Sequence, residues 1–275
     1  MHTLIIDTSY GSTVGIQGHQ PIVQPDSRTH VEQLQHNIGQ AAADAGITPH
    51  DIEQIVVGTG PAPFTGLRAG IVAAKAIAYA TGAQLLGQNI LTPQAALLQE
   101  ARRHDTTLDT HPELAALEPA GDGTRHLALA VNDARRKQLY FALIDTTGDL
   151  GDTNSYPIPM DIDYPESIAQ RVNNAVTELE ARHPGQRVTV TVVGHGAGKY
   201  ADAWQGLRNL ETVIASSVLD YGAEGLDIFA RCAQQDPDAH ANPQALEPLY
   251  LRRPDVSVPK PLKPVLAAEP DTHAA

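Results

Sequence analysis

Gly58-Thr-Gly-Pro-Ala-Pro-Phe-Thr-Gly-Leu-Arg-Ala-Gly70 is the stretch around which the rest of the chain is organised. It follows the apolar run Ile55-Val-Val57, which predicts a buried strand, and precedes the alanine-rich residues 71–80, which predict a helix ending at Gly82. Glycines and prolines between a strand and a helix fix a tight turn. Because backbone N–H groups at a helix start lack partners, such a turn can hold a phosphate, a substrate or a partner.

The same order of predicted elements occurs in both halves of the chain. The first half has a hairpin, a further strand, a helix and a strand, at residues 3–7 with 12–16, 21–23, 30–46 and 55–58. The second half has a hairpin, a further strand, a helix and a strand, at residues 126–131 with 138–144, 154–158, 168–181 and 188–193. Hairpins followed by alternating helices and strands predict two related α/β subdomains with mixed sheets.

Composition along the chain predicts the domain boundaries. Residues 1–102 form the N-terminal subdomain and residues 126–219 the second one, while the polar, turn-rich residues 103–125 are an insertion or linker. A last helix at about 220–236 is expected to pack back on the first subdomain. Residues 254–275 contain five prolines and no periodicity, which predicts a disordered tail.

The charge balance and the single cysteine limit the class of protein. The 275 residues carry 19 Lys and Arg against 32 Asp and Glu, a net charge of −13, which disfavours unaided nucleic-acid binding. Because Cys232 is the single cysteine, the sequence excludes an internal disulfide. Met1 leads directly into a predicted strand, with neither a leader pattern nor an apolar run near ~20 residues. We therefore expect a soluble, cytoplasmic protein that does not use a membrane.

Nucleophile and metal motifs are absent from the sequence. Ser9, Ser12 and Thr65 lie in predicted turns, but no Gly-x-Ser-x-Gly pattern surrounds them, so turn formation is the favoured role. The twelve histidines form neither His-Glu-x-x-His nor His-x-x-x-His. His30 and His36 are six residues apart and lie on different sides of a helix. We expect no catalytic residue and no metal ligand.

Two further patterns leave alternatives open. Gly194-His-Gly-Ala-Gly-Lys199 resembles a phosphate loop, but the spacing requires a glycine at Val193, and Tyr200 replaces the Ser or Thr that holds magnesium. Asp7 ends the first strand, where a carboxylate can face a metal–nucleotide or simply form the turn. The small residues of the helix at 71–80 favour either close packing within the domain or an interface.

Stretches in both halves of the chain match, in order, the motifs of a known family. They are Ile6-Asp-Thr-Ser9, Arg28-Thr-His30, Gly60 to Gly70, Ala74-Lys75, Asp133-Ala-Arg135 with Leu139-Tyr140, and Pro248-Leu-Tyr-Leu-Arg252. In these the chain resembles the TsaB (YeaZ) family of tRNA threonylcarbamoyladenosine biosynthesis proteins. Ala62 and Pro63 stand where the family loop has Gly-Ser, and Ala69 where it has Ile. The match covers about residues 3–252, without 103–125.

The resemblance implies the actin-like/sugar kinase/Hsp70 (ribonuclease H-like) fold with a degraded nucleotide site. TsaD, the catalytic paralogue, has a metal-binding His-x-x-x-His where this chain has Ile90 and Gln94. The residues implied for the degraded nucleotide site and family loop are Asp7, Thr8, Ser9, Gly60, Pro61, Phe64, Thr65, Gly66 and Arg68. Pairing through the helices at 30–46 and 66–81 implies a partner interface of His30, Val31, Leu34, Ile38, Gly70 and Ala74.

The function implied by the resemblance is that of a non-catalytic scaffold subunit, a pseudoenzyme. Such a subunit pairs with a TsaD-like protein and recruits a TsaE-like ATPase, and TsaD transfers threonylcarbamoyl to the adenosine beside the anticodon of tRNAs that read ANN codons. The subunit has no cofactor of its own, and ATP or ADP is expected only at the interface with TsaD and TsaE. Contact with tRNA is expected only through the complex, and self-association of the isolated chain through the same helices is an alternative that competes with the heterodimer.

Two rival functions remain open. One is a peptidase, since the family was once grouped with glycoproteases, although no nucleophile–base pair supports it. The other is an ATP-dependent sugar or acid kinase on the same fold, for which tight ATP binding by the isolated chain is the expected property.

Overall fold

Two five-stranded mixed sheets form the frame of the protein in a computed structural model, which describes residues 1–25, 30–104, 107–121, 123–236 and 246–251, without the side chains of residues 30 and 31. The first sheet contains β1 (His2–Asp7), β2 (Ser12–Ile16), β3 (Ile22–Gln24), β4 (Ile52–Gly60) and β5 (Gln84–Asn89). The second contains β6 (Arg125–Asp133), β7 (Leu139–Asp145), β8 (Ile158–Asp163), β9 (Val188–Val193) and β10 (Leu210–Ile214). The predicted tail at 254–275 lies outside the described residues.

Both sheets have the same topology. The strand orders are β3-β2-β1-β4-β5 and, read in the same sense, β8-β7-β6-β9-β10. In each sheet the first three strands pair antiparallel, and the first strand pairs parallel with the fourth, which pairs parallel with the fifth. The predicted repetition of the element order is therefore confirmed, and with it the mixed character of both sheets.

Helices cover both faces of each sheet and create three apolar cores. The helices are α1 (His30–Asp44), α2 (Phe64–Thr81), α3 (Thr92–Ala101), α4 (Pro112–Ala115), α5 (Pro165–Arg182), α6 (Ala201–Trp204) and α7 (Gly222–Gln235). Helices α1 and α2 cover the outer face of the first sheet, and α5 and α6 that of the second. Helices α3 and α7 share the middle core with residues from both sheets. The order of layers is thus helix, sheet, helix, sheet, helix.

The middle layer joins the two halves. Helix α7 contacts β5 and β1 of the first sheet, whereas α3, which precedes residue 103, contacts β6 and β7 of the second. Residues 103–125 include α4 and a 3-10 turn at Leu108–Thr110, and the side chains of Leu108 and Leu114 are buried in the middle core. None of the described helices combines the length and apolar character that crossing a bilayer requires.

Four elements differ from the sequence-based expectation, and the first is α4, which lies in the predicted insertion or linker. Helix α2 begins at Phe64, before both the start at 71 predicted from the apolar pattern and the start at 66 implied by the resemblance, because Pro63, extended at φ −60° and ψ 139°, is the N-cap. Strand β8 begins at Ile158 rather than near 154, since Thr153–Ser155 forms a 3-10 turn capped by Asp152, whose side chain accepts a hydrogen bond from the Asn154 N–H at 2.9 Å. Strand β10 was not predicted, because it is only five residues long and mostly only partly buried.

Candidate functional site

The carboxyl ends of β1, β4, β6 and β9 lie near one another where the two halves meet. The Asn132 side-chain amide at the end of β6 donates a hydrogen bond to the Pro61 carbonyl after β4 at 3.2 Å. A Cβ added to Gly194, after β9, would lie 2.2 Å from the Val131 carbonyl oxygen of β6. In open α/β sheets the carboxyl ends of the strands are the usual place for a ligand site. The turns that follow these strands therefore form the candidate site.

Asp7, predicted as a site residue, is buried at the end of β1, with 4% of its surface exposed. Its carboxylate accepts hydrogen bonds from the Ser9 hydroxyl at 2.8 Å and the Ser9 N–H at 3.1 Å. A Cβ on Gly58 would lie 2.0 Å from Asp7 Oδ1, so the carboxylate rests directly on the backbone of β4. Burial raises the pKa of Asp7, and the bonds from Ser9 only partly oppose this. The carboxyl is held by its own chain and faces away from solvent.

Thr8 connects the β1–β2 turn to helix α2. A Cβ on Gly70 would lie 2.5 Å from Thr8 Oγ1 and 3.1 Å from its methyl carbon. Thr8 is buried, and within the described residues its hydroxyl has no hydrogen-bond partner. The second turn of α2 therefore packs directly on this turn, and only a glycine allows the approach.

A stacked pair of rings joins the two halves across this region. The Tyr10 ring, after β1, stacks on the His195 ring, after β9, with centroids 4.1 Å apart and planes 26° apart. His195 Nε2 lies 2.8 Å from Asp220 Oδ2, and the same Asp220 oxygen accepts the Ser217 N–H at 2.7 Å. Burial raises the pKa of Asp220, but the hydrogen bond and charge of His195 outweigh it, so that the net pKa is lowered. Side chains of the protein itself thus bridge the turn after β1 and the turn after β9.

Gln94, at the position where the resemblance implies a missing metal ligand, is a structural connection between α3 and the segment before α7. Its side-chain N–H donates to the Ser217 hydroxyl at 2.8 Å, and its oxygen accepts the Val218 N–H at 3.0 Å. Gln94 and Ile90 are both buried, with 1% and 2% of their surfaces exposed. Both ends of this amide are therefore used inside the protein. Among the described residues, no cluster of three or more His, Cys, Asp or Glu is arranged to bind a metal ion.

The family loop and the C-terminal motif, far apart in sequence, form one surface cluster. The Arg68 guanidinium lies 3.9 Å from the Phe64 ring centroid, and its Nε donates to the Tyr250 hydroxyl at 2.9 Å. The Tyr250 and Phe64 rings stack with centroids 5.1 Å apart. The Leu249 N–H donates to the Thr59 carbonyl at 2.8 Å, which ties the C-terminal segment to the end of β4. The two motifs that carry the resemblance thus depend on each other for their conformation.

The remaining residues of the loop shape its backbone. Gly60 has a φ of 93°, and a Cβ there would lie 2.8 Å from the Ala62 nitrogen. The peptide bond between Gly60 and Pro61 is cis. Thr65 is exposed on the first turn of α2 and Gly66 is half-buried. The loop therefore fixes where α2 begins and presents only part of its first turn to solvent.

The predicted set of partner-interface residues requires a correction. Leu34, Ile38 and Ala74 are 2%, 6% and 0% exposed and pack in the core between α1, α2 and the first sheet, while Gly70 packs on the β1–β2 turn. The expectation that these four residues face a partner is therefore wrong, because the stripe they form is the one that binds the helices to their own sheet. The side chains of His30 and Val31 lie outside the described residues.

The solvent face of α2 carries large apolar side chains, of which the sequence analysis singles out only Phe64. Phe64, Val72 and Tyr79 are 47%, 65% and 95% exposed. With Arg68 and the exposed Ala76 they recur every three or four residues, which places them along one side of the helix. We call Phe64, Arg68, Val72, Ala76 and Tyr79 the α2 stripe. Spacing was available as a signal, but α2 is apolar on both sides, so spacing did not tell the inner side from the outer.

The two sheets of equal topology, with their shared layer of α3 and α7, define the actin-like/sugar kinase/Hsp70 class of fold, as predicted. Among solved structures, YeaZ from Pseudomonas aeruginosa has this fold with a TM-score of 0.59 and 19% sequence identity, over 91% of this chain and 99% of that one. A second structure, of a Pseudomonas aeruginosa protein described as similar to peptidase YeaZ, has a TM-score of 0.56 at 20% identity.

The family model described as TsaD, tRNA N6-adenosine threonylcarbamoyltransferase, matches residues 23–257. The chain belongs to this family of tRNA modification proteins, and the resemblance to TsaB (YeaZ), which the sequence indicated, is confirmed by the family model and the fold together.

Two curated relatives match parts of the chain. An uncharacterized protein of Mycobacterium tuberculosis is 35% identical over 120 residues, 44% of each chain. The tRNA N6-adenosine threonylcarbamoyltransferase of Ruegeria sp. (strain TM1040) is 39% identical over 69 residues, 25% of this chain and 19% of that protein. The matched part of the chain spans less than half of the length of these relatives.

Proposed function

We propose that the chain is the non-catalytic scaffold subunit, a pseudoenzyme, of a complex that transfers threonylcarbamoyl to the adenosine beside the anticodon of tRNAs reading ANN codons. In this role it pairs with a TsaD-like catalytic subunit and recruits a TsaE-like ATPase, and it reaches tRNA through the complex. The α2 stripe is the observation that carries the proposal, because it gives the partner a surface in place of the buried residues first expected.

The composition of the α2 stripe fits a protein interface. Aromatic and Arg side chains are enriched in interfaces, and Phe64, Arg68 and Tyr79 supply both kinds. From Phe64 to Tyr79 the stripe runs about 22 Å along the helix axis at 1.5 Å per residue. Tyr79 is 95% exposed, which leaves its whole ring available for a pocket on the partner. The small side chains of Ala76 and Ala80 beside it allow a partner helix to approach closely.

The site geometry supports a scaffold rather than an enzyme. Asp7 is enclosed by Ser9 and the backbone of β4, and the Tyr10–His195 stack bridges the turns that flank it. Gln94 uses both ends of its amide within the protein. These contacts favour a region that holds the two halves together. In this proposal any ATP or ADP is bound at the interface with the TsaD-like and TsaE-like subunits, and the chain has no cofactor of its own.

The test is co-elution of the full chain with the TsaD-like protein of the same organism. The double variant Val72→Asp with Tyr79→Ser is expected to raise the dissociation constant at least about 30-fold, since one interface hot spot is worth about 2 kcal/mol or more. Tyr164→Ser is the matched control, because Tyr164 is 53% exposed and lies at the start of α5, away from α2. Equal affinity of the double variant and the wild type would refute the assigned surface.

The same proteins distinguish the alternatives. Gel filtration of the isolated chain and of the double variant tests whether a homodimer uses the same stripe. Threonylcarbamoyl transfer by the purified chain without a TsaD-like subunit would contradict the pseudoenzyme assignment. Tight ATP binding in calorimetry would favour a kinase, and a peptidase activity abolished by Thr65→Ala would favour a peptidase.

A further inference from the structure

The turn between β6 and β7 concentrates positive charge in a backbone conformation that side chains disfavour. Arg135, Arg136 and Lys137 are consecutive, exposed and left-handed, with φ of 62°, 50° and 64°. The turn is closed by hydrogen bonds from the Ala134 N–H to the Gln138 carbonyl at 3.1 Å and from the Gln138 N–H to the Arg135 carbonyl at 3.0 Å. The hairpin thus has an ordered tip made of three cations.

We infer that this turn, residues 135–137, is a contact of the chain with the phosphate backbone of tRNA. The inference rests on the proposed function, and it goes beyond it by giving this subunit a nucleic-acid contact of its own. The first argument is conformational. Left-handed backbone is disfavoured for residues other than Gly, Asn and Asp, and such outliers cluster at functional sites. Gly or Asn would close the same turn with less strain, so the presence of cations at these positions points to a use for their charge.

The second argument is electrostatic. The chain has a net charge of −13, yet the carboxylate that closes the turn, that of Asp133, does not face solvent beside the cations. Asp133 is buried, accepts the Arg135 N–H at 2.8 Å and is paired with the Lys199 ammonium at 3.1 Å. The Lys199 ammonium offsets the charge of Asp133, so this carboxylate does not cancel the cations of the turn. The surface is therefore positive locally on a protein that carries a large net negative charge.

Neighbouring acids do not neutralise the two outer cations of the turn. Among the described residues, neither Arg135 nor Lys137 forms an ion pair, whereas Arg136 between them makes a contact of its own. Exposed arginine and lysine side chains of this kind are the groups that neutralise nucleic-acid phosphates. A phosphate backbone, with regularly spaced charges, can engage both Arg135 and Lys137 at once.

The third argument is position. Asn132, three residues before the turn, is bonded to Pro61, and α2 begins three residues after Pro61. The basic turn and the start of the α2 stripe therefore lie on the same side of the junction between the halves. A subunit docked at the start of α2 would therefore lie on the same side of the molecule as the turn, which allows the subunit and the turn to contact one tRNA. A free nucleoside triphosphate has the same phosphate chemistry, and the experiment distinguishes binding of tRNA from binding of a free nucleotide.

The experiment measures tRNA affinity as a function of salt concentration for the wild type and two double variants of the full chain. Arg135→Asn with Lys137→Asn removes the outer cations and relieves strain, because Asn accepts left-handed backbone. Arg182→Asn with Arg208→Asn is the control of equal charge. Those arginines are paired with glutamates at 3.0 and 3.2 Å, and both double variants change the net charge from −13 to −15 because each removes two positive charges.

The turn variant is expected to reduce the slope of log affinity against log salt by about 2, one for each phosphate that the variant no longer neutralises. Between 50 and 200 mM salt the affinity of the wild type should then fall about 16-fold more than that of the turn variant. The control variant should keep the wild-type slope. Equal slopes for all three proteins, or equal reductions in both variants, would overturn the inference.

Two further measurements keep the outcomes separate. Assembly with the TsaD-like subunit is scored first, and tRNA titrations use both the assembled complex and the full chain alone. Failure to assemble contradicts the proposed function, while the slopes of the chain alone still test the turn. Calorimetry with ATP is the last measurement. If the turn variant no longer binds ATP but keeps the wild-type slope for tRNA, the turn binds a free nucleotide, and the tRNA assignment is overturned.

Discussion

Glu211→Gln tests how much one buried ion pair, between the middle helical layer and the second sheet, contributes to the free energy of unfolding. Glu211 on β10 pairs with the Arg102 guanidinium after α3 through both carboxylate oxygens, and it also accepts the Thr191 hydroxyl at 2.8 Å and the Glu118 N–H at 3.0 Å. The Arg102 and Glu211 side chains are only 2% and 11% exposed. Removing the charge of Glu211 leaves a buried guanidinium without its counter-charge.

The pKa of Glu211 gives the magnitude. Burial raises this pKa, but the hydrogen bonds from Arg102 and the Glu118 N–H and the charge of Arg102 outweigh it and lower the pKa from 4.5 to about 2. That difference corresponds to about 3 kcal/mol, and screening by the solvent that reaches the carboxylate reduces the expected contribution to about 2 kcal/mol. Because the folded-state pKa is depressed, the contribution is complete above about pH 4.5 and disappears as the pH falls through about 2.

Urea unfolding at pH 7, 5, 4 and 3 measures this effect. Glu211→Gln should lower the free energy of unfolding at pH 7 by about 2–3 kcal/mol, and between pH 5 and 3 the free energy of unfolding of the wild type should fall about 1.5 kcal/mol more than that of the variant. Glu178→Gln is the control, because Glu178 pairs with Arg182 on the exposed face of α5 and surface pairs contribute about 0–1 kcal/mol. Parallel pH dependences for the wild type and Glu211→Gln would refute the reasoning.

Three further predictions concern the packing around the loop and the Gln94 connection. Gly70→Ala should lower the free energy of unfolding by about 1–3 kcal/mol, because its Cβ would overlap a buried threonine side chain, whereas Gly39→Ala, on the open face of α1, should raise it by about 0.5–1 kcal/mol in the same urea titration. Gln94→Ala should lower the free energy of unfolding by about 2–4 kcal/mol in thermal and urea unfolding, since it leaves two buried groups without partners, and an unchanged midpoint would contradict the role of this side chain. Tyr250→Phe keeps the ring stack but removes the acceptor for Arg68 at an exposed site, so it should cost less than about 1 kcal/mol, and a larger decrease would mean that the hydroxyl does more than hold this arginine.

The order and type of most elements followed from the sequence, because helix and strand periodicities are local. The hairpin at the start of each half, the helices α1 and α5 and the end of α2 at Gly82 were predicted within a few residues. The start of α2 and the start of β8 were not predicted correctly. Each depends on the preceding turn, whose conformation is set by capping contacts. Asp7 was correctly singled out as the residue that ends β1, and the structure shows it enclosed by Ser9 and Gly58.

The site required the tertiary structure. No local pattern indicates that Tyr10 stacks on His195, or that Gln94 reaches Ser217, because these partners are more than 120 residues apart in sequence and meet only when the two sheets share their middle layer. The same holds for Arg68 and Tyr250, although both lie in motifs that are visible in the sequence.

The sequence by itself determined that this chain has two repeated α/β halves and a glycine- and proline-rich turn before an alanine-rich helix. Only the tertiary structure decided which side of that helix faces solvent. Helix α2 carries Leu67, Ile71 and Ala74 on one side and Phe64, Val72 and Tyr79 on the other, so both sides are apolar. Gly70 decides between them, because its missing side chain lets that side of the helix pack on Thr8 and leaves the α2 stripe exposed to solvent.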